Sequence, residues 1–210
     1  MIQDMILMIP AILIGFTFHE YAHAKVADKL GDKTPRFQGR LSFNPLVHID
    51  LIGLVLILFA HVGWAKPVET NPRAFKNYRK DDFKVNLAGP LANLAIAVIT
   101  ALILGTLYKF SNYFNSYTLY NNLKQITENI MYLNAMMFIF NLIPLPSFDG
   151  GNIIRDLFPN FYNKYYAKAY EYRYIILAIL LITPLYNIIL VPISVLQNKL
   201  LVLALKIGML

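Results

Sequence analysis

The sequence predicts an all-α polytopic membrane protein: a helical transmembrane bundle with a re-entrant or interfacial segment near residues 41–64. Three observations carry that expectation. Hydrophobic residues make up 57% of the 210, above the roughly 45–50% of soluble domains. Several apolar runs reach the roughly 18–20 residues needed to cross hydrocarbon about 30 Å thick. Basic residues gather mostly in the stretches between those runs. The formal net charge of +7 therefore points to anionic lipid headgroups as partners, and not to nucleic acid. With no cysteine in the chain, disulfides, thiolate metal sites and cysteine nucleophiles are excluded.

The first apolar segment runs from about Met5 to Ala27, long enough to span at 1.5 Å per residue. Ala22-His23-Ala24 imitates a signal-peptide cleavage site, but Asp4 and the absence of Lys or Arg before it predict a retained segment. Lys25, Lys29, Lys33, Arg36 and Arg40 follow, with Gly31, Pro35 and Gly39, and read as loop or short extended structure. The run Leu46–Trp64 carries His48 and Asp50 at its start and His61 near its end, which leaves too few clean residues to cross. A second basic loop holds Lys66, Arg73, Lys76, Arg79, Lys80 and Lys84.

A strong span follows from Val85 to Tyr108, then a polar linker from Lys109 to Glu128 that is poor in basic residues. Another span covers Ile130–Leu145 and ends in a string punctuated by Pro144, Pro146, Gly150 and Gly151. A Tyr-rich loop with Arg155, Lys164, Lys168 and Arg173 leads to a last apolar block, Tyr174–Leu210. Pro184 and Pro192 interrupt that block, so it reads either as one kinked span with a surface helix or as two spans. The expected organisation is a single membrane-embedded domain over 1–210, with its core at 5–155 and a transmembrane or interfacial tail at 174–210.

Basic loops tend to stay cytoplasmic. That rule places the loops after the first two segments, and the one after Gly151, on the same side of the cell membrane. The segment 46–64 then enters and returns, or lies at the interface. Backbone that leaves helical geometry at membrane depth is tolerated only against protein or a wet cavity. A cavity toward the cytoplasm, beside the end of the first helix, is the consequence.

The chemistry lies in His19-Glu20-Tyr21-Ala22-His23. On a helix the two histidines share a face one turn apart, so both imidazoles can hold one zinc ion while Glu20 reaches a water beside it. Ionisable side chains cost about 2.5–3.5 kcal/mol or more at membrane depth, which favours a functional role. A catalytic zinc site takes three protein ligands. Asp149 is the expected third, because topology brings the end of its helix to the same leaflet. Gly150 and Gly151 are expected to let the chain turn there.

Three ordered motifs resemble the site-2 protease family of intramembrane zinc metalloproteases: His19 to His23, Gly89-Pro90-Leu91-Ala92-Asn93, and Asn141-x-x-Pro144-x-Pro146-x-x-Asp149-Gly150. Asn44-Pro45 through His48-Ile49-Asp50 and Gly63-Trp64-Ala65-Lys66-Pro67-Val68 further resemble its compact prokaryotic branch without a PDZ domain. The resemblance implies one Zn2+ per chain on His19, His23 and Asp149, with Glu20 as catalytic carboxylate. It implies that Asn141 and Asn93 orient substrate or stabilise the oxyanion. It also implies regulated proteolysis of transmembrane protein or peptide substrates. Phe148 departs from the smaller aliphatic residue common before the Asp. His48 is a candidate for an auxiliary or pH-sensitive role near the metal. Two other classes stay open: a catalytically inactive relative that binds membrane helices, and an ion or proton transporter.

Overall fold

The computed structural model describes residues 2–60, 63–184 and 186–209. Its elements are helices throughout: α1 (Ile2–Leu30), α2 (Thr34–Phe37), α3 (Leu51–Ala60), α4 (Tyr78–Lys109), α5 (Tyr117–Asn141), α6 (Asp149–Leu157), α7 (Pro159–Phe161), α8 (Ala167–Glu171), α9 (Arg173–Ile182) and α10 (Tyr186–Met209). A π-helical turn, Tyr162–Tyr166, joins α7 to α8. No strand occurs among the described residues, only an isolated bridge between Ile49 and Ala65. Helices α1, α4 and α10 are long and apolar enough to cross a membrane. The protein is thus an all-α membrane protein.

Side-chain pairs fix the helix directions. Gln3 bonds Asn122, Gln125 bonds Asp4, and Asn129 reaches the Leu7 carbonyl, so α1 and α5 run parallel. Helix α4 runs against both, with Val85 beside His23 and Asn93 beside Gly15. Helix α10 follows α4, since a Cβ on Gly105 would lie 2.7 Å from the Ala204 carbonyl oxygen and from Ile207. Small residues allow this closeness, as membrane helices without a hydrophobic driving force require. Ala97, Ala101 and Leu104 pack with Met131, Ala135, Leu200 and Ala204 in one buried cluster. A second joins Ala11 and Ile12 to Leu133 and Met137, with Leu54, Ile57 and Leu58 of α3 against it.

Several boundaries differ from the sequence reading. The linker 109–128 is mostly helix, because α5 starts at Tyr117, capped by Ser116, whose hydroxyl accepts from Leu119 N at 3.2 Å. Its polar residues are a helix stripe facing α1 and α4, and only afterwards does α5 turn apolar. For that reason α5 is not among the three spans, and it stops at Asn141, short of the expected Leu145. The stretch 155–173 is helical too, and not a loop. At 10 residues, or about 15 Å, α9 is too short to cross, which leaves α10 as the crossing helix of the tail.

The chain doubles back around α3, with Ile49 bridged to Ala65. Asp50 Oδ1 accepts from Gly53 N at 2.8 Å and starts α3. The returning limb pairs Lys66 N with the His48 carbonyl at 2.8 Å. Gly53 and Gly63 press together, so a Cβ on Gly53 would strike the Trp64 main chain. His61, noted near the end of this segment, lies outside the described residues.

Candidate metal centre

His19, Glu20 and His23 are buried along one side of α1. Each imidazole has its Nδ1 committed. His23 Nδ1 lies 2.7 Å from the Val85 carbonyl, which can only accept, so that nitrogen carries the hydrogen. Asn93 Nδ2 donates to Asn134 Oδ1 at 2.8 Å and to the Gly15 carbonyl at 3.1 Å. Its Oδ1 is therefore the atom 2.6 Å from His19 Nδ1, and it accepts. Both rings are held as the tautomer whose Nε2 bears a lone pair, the usual second-layer support of a ligating histidine.

Those two Nε2 atoms lie 3.0 Å apart, and each lies 3.3 Å from Asp149 Oδ2. Asp149 Oδ2 is buried and has no hydrogen-bond partner. With both rings neutral, three lone-pair atoms face one another, an arrangement suited to a cation. Tetrahedral ligands with bonds of about 2.0–2.2 Å stand roughly 3.3–3.6 Å from one another. The two separations to Asp149 match that spacing, and the one between the Nε2 atoms is slightly shorter. Among the described residues these three form a group able to hold a metal ion.

Helix α4 walls the site at Gly89. A Cβ there would strike His23 Nε2 and lie 2.7 Å from His19 Nε2, so only glycine leaves the nitrogens accessible. Helix α6 delivers Asp149 in its first turn. The expected turning role of Gly150 and Gly151 gives way to a different one. Neither has positive φ; Ser147 does, at 78°. The glycines let α6 press on the preceding turn, where a Cβ on Gly150 would strike the Leu142 and Ile143 carbonyls. Farther along α6, Arg155 pairs with Asp82 of α4 and lies 3.3 Å from Asp156 Oδ1. Asn86 Nδ2 donates to Asp156 Oδ2 at 3.2 Å, completing a clamp between α6 and α4. Burial, then the nearby Asp82, pushes Asp156 up to about 6.

Glu20 stands next to His19 but outside the ligand group, and its Oε2 accepts from Val68 N at 2.8 Å. Asn93 reaches the centre through His19, with its amide hydrogens used elsewhere. Asn141 donates to the Met137 carbonyl at 3.0 Å in the last turn of α5. His48 is fully buried in the re-entrant segment and is not one of the three grouped residues. Its Nε2 donates to the Ser42 carbonyl at 2.8 Å, and burial lowers its pKa from the ordinary value. The Val85 carbonyl, the Val68 N–H and Asn134 escaped the sequence reading. Main-chain donors leave no composition signal, and Asn134 sits outside the three motifs.

Residues 7–184 match the profile of peptidase family M50. YwhC of Bacillus subtilis (strain 168), a candidate zinc metalloprotease by name, is 38% identical, covering 88% of this chain and 84% of its own. Rip2 of Mycolicibacterium smegmatis, named in the same way, is 28% identical over 87% of this chain and 69% of its own. MJ0611 of Methanocaldococcus jannaschii, again so named, is 26% identical over 71% of this chain and 70% of its own. No solved structure matches the chain significantly.

Proposed function

The chain belongs to peptidase family M50, the site-2 protease family, and from that premise we propose that it cuts peptide bonds within or near transmembrane segments of membrane-protein substrates. The chain is a membrane zinc metalloprotease. The finer reading takes His19, His23 and Asp149 as ligands of one Zn2+, Glu20 as proton carrier, and 1–210 as one domain in the cell membrane. The observation that carries it is the triangle of His19 Nε2, His23 Nε2 and Asp149 Oδ2, with Glu20 alongside.

Zinc bound there supplies Lewis acidity toward water and the scissile carbonyl. Glu20 takes a proton from the attacking water and returns it to the leaving amine. Asn93 and the Val85 carbonyl keep the imidazoles aimed while this happens. Burial of the three α1 residues excludes bulk water, which strengthens every charge interaction in the site. Asn141 is the candidate for contact with substrate main chain.

A substrate helix ties up its carbonyls in internal bonds, so it must unwind before attack. Depth in the membrane supports such a substrate. His19 lies 12 residues beyond Leu7, whose carbonyl takes the deepest of the polar α1–α5 bonds; that is about 18 Å along the helix. Basic loops after α1 and before α4 support a cytoplasmic active site. Regulated intramembrane proteolysis is the process such a reaction serves.

Glu20→Gln tests the reading. It should keep about one zinc per chain and lose cleavage of a transmembrane reporter by at least about 100-fold. Cleavage at the wild-type rate would remove Glu20 from the mechanism.

A further inference from the structure

Arg40 is buried, and among the described residues it pairs with no carboxylate. Its guanidinium donates to three main-chain carbonyls instead: Val47, Lys66 at 3.2 Å and Pro67 at 2.8 Å. The first lies on the entering limb of the re-entrant segment and the other two on the limb that leaves it. The same limb supplies the N–H that meets Glu20. Pro67 C=O and Val68 N–H are the two polar ends of one planar trans peptide, and they point in opposite directions. Arg40 Nη2 holds the oxygen at 2.8 Å, and Glu20 Oε2 takes the N–H at 2.8 Å.

Guanidinium and carboxylate therefore grip one peptide plane from its two edges. A charged donor on the carbonyl polarises the amide and strengthens its N–H as a donor. The ring of Pro67 fixes φ, and the Lys66–His48 pairing fixes the register, so the plane has little freedom to tilt.

We propose that Arg40 is a positioning residue for Glu20, acting through the Pro67–Val68 peptide. The inference rests on the reading of Glu20 as proton carrier. Holding Oε2 on a fixed N–H selects one side-chain rotamer and leaves Oε1 for the proton. Arg40 itself touches neither substrate nor metal.

The test uses the full zinc-loaded chain and a transmembrane reporter. Arg40→Gln should lower kcat about 10–100-fold, as small misplacements do, with KM within about threefold and zinc near one per chain. Arg40→Lys should recover part of the loss, since an ammonium reaches a carbonyl without the planar fork. Val68→Pro, which deletes the N–H, should lose about as much as Arg40→Gln. The double variant should be no worse than the poorer single, because both cut one path. Hydrogen exchange at the Val68 amide reads the same strut even where Val68→Pro fails to fold. It should be at least about tenfold faster in Arg40→Gln and in Glu20→Ala than in wild type.

Full kcat in Arg40→Gln, multiplying losses in the double variant, or a Val68 amide equally slow in Glu20→Ala would overturn the strut. So would loss of zinc and helix content in Arg40→Gln, which makes Arg40 merely structural. The outcomes separate from those of the underlying reading. An active Glu20→Gln removes the base; a dead Glu20→Gln beside a fully active Arg40→Gln removes only the strut.

Discussion

The bundle carries polar residues at two levels, and they are used differently. Near the start of α1, Gln3, Asp4, Asn122, Gln125 and Lys124 form hydrogen bonds and an ion pair that stay exposed or half-buried. Around His19 and His23 the polar side chains are buried, and the groups that hold the imidazoles have their partners fixed: Asn93 spends its whole amide, and both Nδ1 atoms donate. Only Asp149 Oδ2, among these, is left without a hydrogen-bond donor. The first level ties the start of α1 to the first turns of α5. The second brings His19 Nε2, His23 Nε2 and Asp149 Oδ2 into a triangle able to hold a metal ion. Hydrogen-bond completeness, and not polarity as such, separates a site from a membrane edge.

Substitutions can break that contrast, and Gly89→Ala is the sharpest. Alanine raises helix propensity by about 1 kcal/mol, so α4 should remain helical by circular dichroism. The added methyl meets both imidazoles, so bound zinc should fall from about one per chain toward zero and activity with it. Zinc retained at the wild-type level would mean that α4 does not wall the centre.

Asn93→Ala comes next. It frees the His19 ring while removing no ligand, and zinc affinity measured by chelator competition should drop about 10–100-fold. An unchanged affinity would show that His19 needs no partner.

The α6 clamp gives a smaller effect with a definite sign. Burial and the neighbouring Asp82 raise the Asp156 carboxyl from the ordinary aspartate range to about 6. A raised acid contributes stability that is full below its unfolded pKa and is lost as pH climbs through the folded one. Stability should therefore decline between about pH 4 and pH 6 on account of this group. Asp156→Asn should flatten the decline and add about 1 kcal/mol at pH 8, with little change at pH 4. A steeper decline in the variant would reverse the assignment.

Gln125→Ala, at the exposed level, should be nearly silent. Its loss should stay within about 0.5 kcal/mol, with zinc content and cleavage unchanged. A cost matching that of Asn93→Ala would erase the distinction between the two levels.

The grouping of His19, His23 and Asp149 was legible in the sequence because helical spacing binds His19 to His23, and because α5, running parallel to α1, ends near them and leads into Asp149. The re-entrant segment was legible from the short clean run beside His48 and Asp50. The start of α5 was not. Polar residues at 117–128 look like a linker until α1 and α4 offer Gln3, Asp4 and Tyr108 as partners, and those pairings are tertiary. The roles of Gly150 and Gly151 were hidden for a similar reason. A glycine in sequence suggests a turn, whereas here each one marks where another chain segment comes too close for a Cβ. The Val68 N–H is invisible by composition, since every residue except proline has one.

Zinc K-edge absorption on the zinc-loaded protein tests the convergence of the three ligands most directly. The account predicts two imidazole scatterers and a nitrogen–oxygen shell at about 2.0–2.2 Å, and weaker zinc retention in Asp149→Ala. A spectrum without imidazole scattering, or an Asp149→Ala variant that binds zinc as tightly as wild type, would contradict it.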